Sequence, residues 1–298
     1  MKYKNTLAIY KSLLIVAAAT LLILPARANA AMRVAASFYP LAHFAKQAGG
    51  SLTNVETIIP AGIEPHEFDP APKDIRRIYA SKVFIFNGAG IDLWAEKIAP
   101  DLEKKGVLTV NATSGITLLT THGQADPHVW VDPVLAQKEV EIIRNSFIKA
   151  DPKNEQAYRT NAEAYLDKLR VLDGKFRDGL KSCATRKIVT SHGAFTYLAA
   201  RYNLETLVLS GLSPSEEPSP RRLGEAVKTA RAQGIRYIFF ESLVSPKIAD
   251  TVAREIGAAT LVLNPLEGLT PADAVAGRDY VSIMEDNLKN LRIALSCQ

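Results

Sequence analysis

The sequence predicts an α/β protein of two lobes, each a small parallel sheet with flanking helices, joined by one long rigid helix. Three observations carry this. Short β-branched or apolar runs alternate with helical patterns along the whole chain. A single long helical pattern divides those runs into two sets of four. At 298 residues and 47% hydrophobic side chains, the chain can bury cores for two lobes of ordinary size.

The first set of strands reads MRVAASF, VETIIP, VFIFNG and VLTV, and the second KIVTS, LETLVL, YIFFE and ATLVLN. Strands separated by helical crossovers pair in parallel, so each set predicts one parallel sheet. Between the sets, Tyr158, Ala162, Tyr165, Leu169, Leu172 and Phe176 recur at steps of four and three, with a polar opposite face. Only Gly174 interrupts the helix formers from Asn154 to about Lys181, which predicts a rod of ~40 Å at 1.5 Å per residue. Such a rod can pack along both lobes; a short coiled-coil seam is the competing use of the same stripe.

The first thirty residues stand apart. Lys2, Lys4 and Lys11 precede the apolar run SLLIVAAATLLILP, and Ala28-Asn29-Ala30 supplies a small-x-small cleavage site, the pattern of a secretory leader. Cleavage is expected after Ala30. No later segment approaches the ~20 apolar residues of a membrane span. These thirty residues hold Lys2, Lys4, Lys11 and Arg27 and no acid, so without them the formal charge falls from +5 to about +1. That leaves no electrostatic argument for nucleic acid. No cysteine lies near the cleavage site, which argues against a lipid anchor and for a free periplasmic protein. Cys183 and Cys297, the only cysteines, are expected to bond in that oxidising compartment. The expected organisation is 1–30 leader, 31–153 first lobe, 154–182 connecting helix and 183–298 second lobe.

Ligands of parallel α/β sheets collect beyond the carboxyl ends of the strands. His66 follows VETIIP, His192 directly follows KIVTS, Glu241 ends YIFFE, and Glu267 follows ATLVLN. His128 lies in ADPHVWVDP, where two Asp-Pro pairs predict a short stiff extended segment. Three imidazoles and a carboxylate on facing edges form an N/O donor set that suits tetrahedral Zn²⁺, whereas Mn²⁺ prefers more oxygen. Each histidine taken alone has a local hydrogen-bonding role as its alternative. Three at equivalent strand ends, in a chain with five histidines, favour a shared site.

Taken together, FYPLAHFAKQAGG, PAGIEPHEFDPAPKDI, DPHVWVDP, SHGAFTYLAARY and NPLEGLT, in that order, resemble the periplasmic zinc-binding proteins of ABC metal importers. That family also contains manganese-binding and adhesin-type members. The resemblance covers nearly all of the chain after the leader. It implies a metal held between the lobes, histidine ligands at His66, His128 and His192, Zn²⁺ as transported ligand and a membrane permease as partner. His192 stands where manganese-binding relatives tend to carry a carboxylate.

Two departures from the family pattern matter. The His-rich loop of many zinc relatives is reduced here to TTHGQA, with His122 as a candidate transient ligand or a solvated loop residue. The aspartate many members place after the last strand is Asn264, a neutral and poor ligand, so the fourth ligand is expected to be Glu267, with Glu241 or water as alternatives. Glu241 is read as an acceptor orienting an imidazole, Asp132 as a helix cap, and His43, Trp94 and Trp130 as packing residues. An enzyme is the competing class, as a zinc hydrolase. But His66-Glu67 does not begin HExxH, because Pro70 occupies the second histidine's place, and neither GxSxG nor a phosphate-binding loop occurs. A monomer without catalytic residues is expected.

Overall fold

The computed structural model describes residues 30–298 except 122 and 217. The expected leader, apart from Ala30, and His122 therefore lie outside the described residues. In the first lobe β1 (Met32–Ala36), β2 (Thr53–Thr57), β3 (Val83–Phe86) and β4 (Leu108–Asn111) pair in parallel in the order β2-β1-β3-β4. A two-stranded antiparallel hairpin, β5 (Thr120–Thr121) and β6 (Gln124–Ala125), follows. In the second lobe β7 (Lys187–Thr190), β8 (Glu205–Val208), β9 (Tyr237–Phe240) and β10 (Ala259–Val262) form a parallel sheet in the order β10-β9-β7-β8. The two sheets thus share one topology, the first strand of each lobe flanked by its second and third.

Alternate residues of the strands feed different layers, as a pleat of period two requires. Val34, Ala36, Val83 and Ile85 point into an inner core, whereas Ala35, Phe84 and Phe86 pack outward under the helices Pro72–Tyr79 and Leu93–Lys104. In the second sheet Ile188 and Phe239 face inward, and Val189 and Ile238 pack outward beneath Pro220–Ala232 and Lys247–Ile256. Burial on both faces explains why these strands read as continuous apolar runs.

The inner core is continuous through both lobes. The helix Glu155–Gly179 runs through it, burying Tyr158, Ala162, Tyr165, Leu166, Leu169, Leu172 and Phe176. It is 25 residues long and starts after a 3₁₀ turn at Pro152–Asn154, slightly inside the expected bounds. Gly174 stays helical, and a Cβ there would meet nothing within 4 Å beyond its own stretch of helix backbone. The helix packs on Tyr39–Gly49 and Pro133–Ala150 from the first lobe and on Tyr280–Leu295 from the second. Its apolar stripe is consumed inside the chain rather than in a coiled coil. Cys183 and Cys297 are bonded across a separation of 114 residues, tying the approach to β7 to the end of the last helix. In the chain-entropy model a loop of that size contributes on the order of 4–5 kcal/mol.

The segment ADPHVWVDP departs from expectation. His128 has φ −81° and ψ 43°, and Val129–Val131 form a 3₁₀ turn rather than an extended strap. A proline restricts the residue before it, so Asp126 and Asp132 are constrained while the residues between them remain free to turn. The turn carries Trp130 inward, where it is completely buried. Asp132 caps the following helix, accepting from the Val134 N–H at 2.8 Å.

His43 is a packing residue, among Tyr39, Phe44, Tyr165 and Tyr280, with Nε2 buried and unpaired. Burial, the largest cause, pushes its pKa down to about 4. The folded imidazole stays neutral while the unfolded one takes up a proton near ~6.5, so stability is lost as pH falls from about 6.5 towards 4. His43→Phe removes this loss. Urea titrations at pH 7 and 4.5 should show the variant gaining roughly 2 kcal/mol on the parent chain over that interval; equal slopes for the two proteins would place the proton elsewhere.

Candidate metal centre

His66, His128, His192 and Glu267 are brought together by four separate loops. One ligand atom from each lies within 4.8 Å of all the others. His66 sits in the 3₁₀ turn Pro65–Glu67 after β2, His128 beyond β4, His192 two residues past β7, and Glu267 five past β10. All four lie in loops beyond the carboxyl ends of strands, where parallel α/β sheets collect their ligands.

The imidazoles converge through Nε2. Glu267 Oε1 lies 3.4 Å from His66 Nε2, 3.2 Å from His128 Nε2 and 3.2 Å from His192 Nε2, and the Nε2 atoms of His66 and His128 are 3.2 Å apart. Metal–ligand bonds of about 2.05 Å in a tetrahedron put the donor atoms about 3.3 Å from one another. Four of the six edges therefore match a tetrahedral zinc shell. His128 and His192 are fully buried and Glu267 is 2% exposed, while the His66 side chain, at 10%, borders a cleft of about 590 Å³ also lined by Gly90, Leu93, Gln124 and Leu212.

Carboxylates hold the rings from behind. Asp126 Oδ1 accepts both the backbone N–H of His128, at 3.0 Å, and its Nδ1, at 2.8 Å. Glu64 accepts the backbone N–H of His66 at 3.1 Å. The two sites share the pattern acid-Pro-His, in which the acid caps the histidine two residues later; Asp126 also reaches the ring. Glu241 Oε1 accepts from the His192 N–H at 3.2 Å and stands 2.6 Å from Nδ1, a charge contact without hydrogen-bond alignment. Occupying Nδ1 leaves Nε2 with its lone pair toward the centre.

Glu267 approaches through a strained loop. Leu266 adopts the left-handed conformation, φ 62°, which costs on the order of 1–2 kcal/mol for a non-glycine residue. Asn264 holds that conformation: its Oδ1 accepts from the Leu266 N–H at 2.8 Å, and its backbone is gripped on both sides by the Asn287 side chain. Asn264 thus points to the loop, not to the centre. Trp130 adds a further tie, donating Nε1–H to the Pro265 carbonyl at 2.7 Å.

Electrostatics follow from these contacts. Burial alone would raise the Glu267 pKa, but the three imidazoles, His192 foremost, hold it well below the ordinary carboxylate range. For His192 burial is opposed by Glu241 and Glu267, which together raise its pKa well above the usual imidazole value. His128 is raised by Asp126 and Glu267 against its burial, whereas burial lowers His66. Glu64 is pushed up to about 7 by burial and then by the charge of Glu267. Proton and cation thus compete for one set of lone pairs.

Asp126, Glu64 and Tyr197, whose hydroxyl donates to the Asp126 carbonyl at 2.8 Å, carry no sequence expectation of a role at the centre. The repeated acid-Pro-His pattern was the available signal for the first two; nothing local marks Tyr197. Trp94 packs beside Phe68 and Phe84 as expected.

A two-lobed parallel α/β protein in which three imidazoles and a carboxylate converge between the sheets presents an N/O donor set able to hold a metal ion. Residues 34–294 match the family model described as zinc-uptake complex component A, periplasmic. The chain belongs to this family. It is 39% identical over 281 residues to the zinc-binding lipoprotein AdcA of Streptococcus pneumoniae, covering 89% of this chain and 56% of that protein. It is 37% identical over 280 residues to the high-affinity zinc uptake system protein ZnuA of Bacillus subtilis, covering 89% and 88%. Among solved structures, the Zn(II)-bound ZnuA-like domain of the Streptococcus pneumoniae AdcA superposes with TM-score 0.80 at 41% identity, covering 89% of this chain and 99% of the domain. The chain spans about half the length of the AdcA relatives it matches.

Because Asn264 satisfies a buried N–H beside the strained Leu266, Asn264→Ala should lower stability by about 1–3 kcal/mol in urea denaturation of the metal-free protein. Unchanged stability would mean the loop finds another acceptor.

Proposed function

We propose that this protein captures Zn²⁺ outside the cytoplasm and delivers it to the permease of an ABC importer, with His66, His128, His192 and Glu267 as its four ligands. The observation that carries this is that Glu267 Oε1 lies 3.2–3.4 Å from all three Nε2 atoms and that the Nε2 atoms of His66 and His128 are 3.2 Å apart. Three neutral imidazoles select a borderline metal such as zinc over manganese, and the carboxylate lowers the net charge of the centre from two to one. It also takes the position a nucleophilic water would need, which suits transport rather than hydrolysis. Family membership and the zinc-bound relatives support the same reading.

Residues 1–30 serve in this reading as a cleaved leader to the periplasm, followed by a first lobe at 31–153, a connecting helix at 154–182 and a second lobe at 183–298. The Cys183–Cys297 bond accords with an oxidising compartment. Among the described residues no helix is long and apolar enough to cross a membrane. The protein acts as a monomer, and its partner is the permease. Because the lobes share one core, zinc binding proceeds with little lobe movement.

Metal analysis after dialysis should find one Zn²⁺ per chain, retained against excess Mn²⁺. Protonated imidazole cannot ligate, and His192 and His128 hold their protons above the usual imidazole value of ~6.5, so affinity begins to fall above that value and keeps falling as pH drops. Equal affinity at pH 5 and 7.5, or displacement of zinc by manganese, would reject the assignment.

Glu267→Ala should weaken zinc binding while the three histidines still hold some metal, and Asn264→Ala should weaken it much less. Competition with a chromophoric chelator measures both. Unchanged affinity in Glu267→Ala would transfer the fourth position to Glu241 or water.

A further inference from the structure

The segment 126–132 belongs to the first lobe in sequence but is gripped by the second. Helix Thr196–Arg201, which starts four residues after His192, presents Tyr197 and Arg201 on one face, four positions apart. Arg201 Nε donates to Asp132 Oδ2 at 2.9 Å. The Tyr197 hydroxyl, on a side chain from a residue only 4% exposed, accepts from the Leu119 N–H at 2.9 Å and donates to the Asp126 carbonyl at 2.8 Å. The helix therefore holds both aspartates that bracket His128.

The Tyr197 contact is unusual in kind. In the hairpin β5–β6, Thr120 pairs with Ala125, so Leu119 and Asp126 form the next antiparallel pair. One bond of that pair is present, from the Asp126 N–H to the Leu119 carbonyl at 2.9 Å. The return bond, from the Leu119 N–H to the Asp126 carbonyl, is replaced by the hydroxyl inserted between them. An antiparallel ladder left to itself closes that bond directly, which draws the Asp126 carbonyl toward Leu119. Asp126 Oδ1 in turn holds the His128 backbone N–H and the ring Nδ1. Any shift of the Asp126 backbone is passed to Nε2.

We propose that Tyr197 is a positioning residue of the metal centre, its hydroxyl acting as a spacer in the hairpin ladder that fixes Asp126 and so aligns His128 with His192. Arg201 anchors the far end of the same segment. The ligands His128 and His192 are then registered across the two lobes by one short helix, with no contact between either clamp residue and the metal. The inference rests on the metal-capture reading for its zinc arm only.

The test uses the full chain with Tyr197→Phe, Arg201→Gln and a control, Tyr158→Phe. The control removes another buried tyrosine's hydroxyl bond, to Asp151 at 3.0 Å, at the far turn between two helices. In the metal-free protein, amide exchange at Leu119 and the NMR signal of the His128 Nδ1 proton report the clamp directly. Both should change in Tyr197→Phe and stay as in the parent chain in Tyr158→Phe. With metal, zinc release to a chelator should quicken by roughly tenfold or more in Tyr197→Phe, the range found when an outer partner of a metal-bound histidine is lost. The Co²⁺ absorption bands should shift with it. Arg201→Gln should move the same readouts in the same direction, and it stands in if Tyr197→Phe does not fold. Parental exchange at Leu119 with parental zinc release overturns the proposal, as does an equal acceleration in Tyr158→Phe. If the parent chain takes up no zinc, the capture reading fails and the metal-free measurements alone decide the clamp.

Discussion

A carboxylate enclosed by three imidazoles is the constraint around which this molecule is arranged. Glu267 Oε1 stands 3.2–3.4 Å from each of three ring nitrogens in a place almost without solvent. Groups buried that closely must share protons or a cation, because burial penalises a charge left alone. Each ring is consequently braced: His128 by Asp126, His192 by Glu241, and the His66 backbone by Glu64. The left-handed Leu266 and the Asn264 that holds it belong to the same requirement, since they bring a carboxylate to a point fixed by the rings.

Such a point can be fixed only if the lobes are fixed. Here they share a single inner core, threaded by the 25-residue helix Glu155–Gly179. A hinge needs residues able to absorb dihedral change, and a packed helix inside a continuous core offers few. The two sheets repeat one strand order, and loops at their carboxyl ends bring the four side chains together. Of the four converging residues His66 borders the cleft of about 590 Å³, while His128 and His192 are fully buried.

The acid-Pro-His segments show how local chemistry and tertiary contacts combine. In EPH and DPH the acid reaches forward two residues to cap the histidine N–H, which is a local property of both sequences. Only Asp126 also touches the ring, and its own carbonyl is held by Tyr197 from the other lobe. The same motif therefore gives a ring braced from behind in one place and a ring without a carboxylate on Nδ1 in the other.

The strands, the long helix and the loops bearing His66, His128, His192 and Glu267 were legible in the sequence because their signals are local. Parallel strands buried on both faces run as apolar stretches such as VFIF, and an unbroken periodic stripe marks the helix. The pairing of Cys183 with Cys297 followed from there being no other cysteine. What the tertiary structure decided was everything set by groups far apart in the chain. The bent course of Val129–Val131 follows from the burial of Trp130, which no dipeptide rule anticipates. That His128 and His192 turn Nε2 to the centre goes with the carboxylates beside their Nδ1 atoms, and that Asn264 serves the loop depends on Asn287, 23 residues away. The hydroxyl of Tyr197 reaches Asp126 across 71 positions. Periodicity reports which face of an element is buried; it carries no record of what lies opposite that face, and the geometry of a metal centre is made of such opposites.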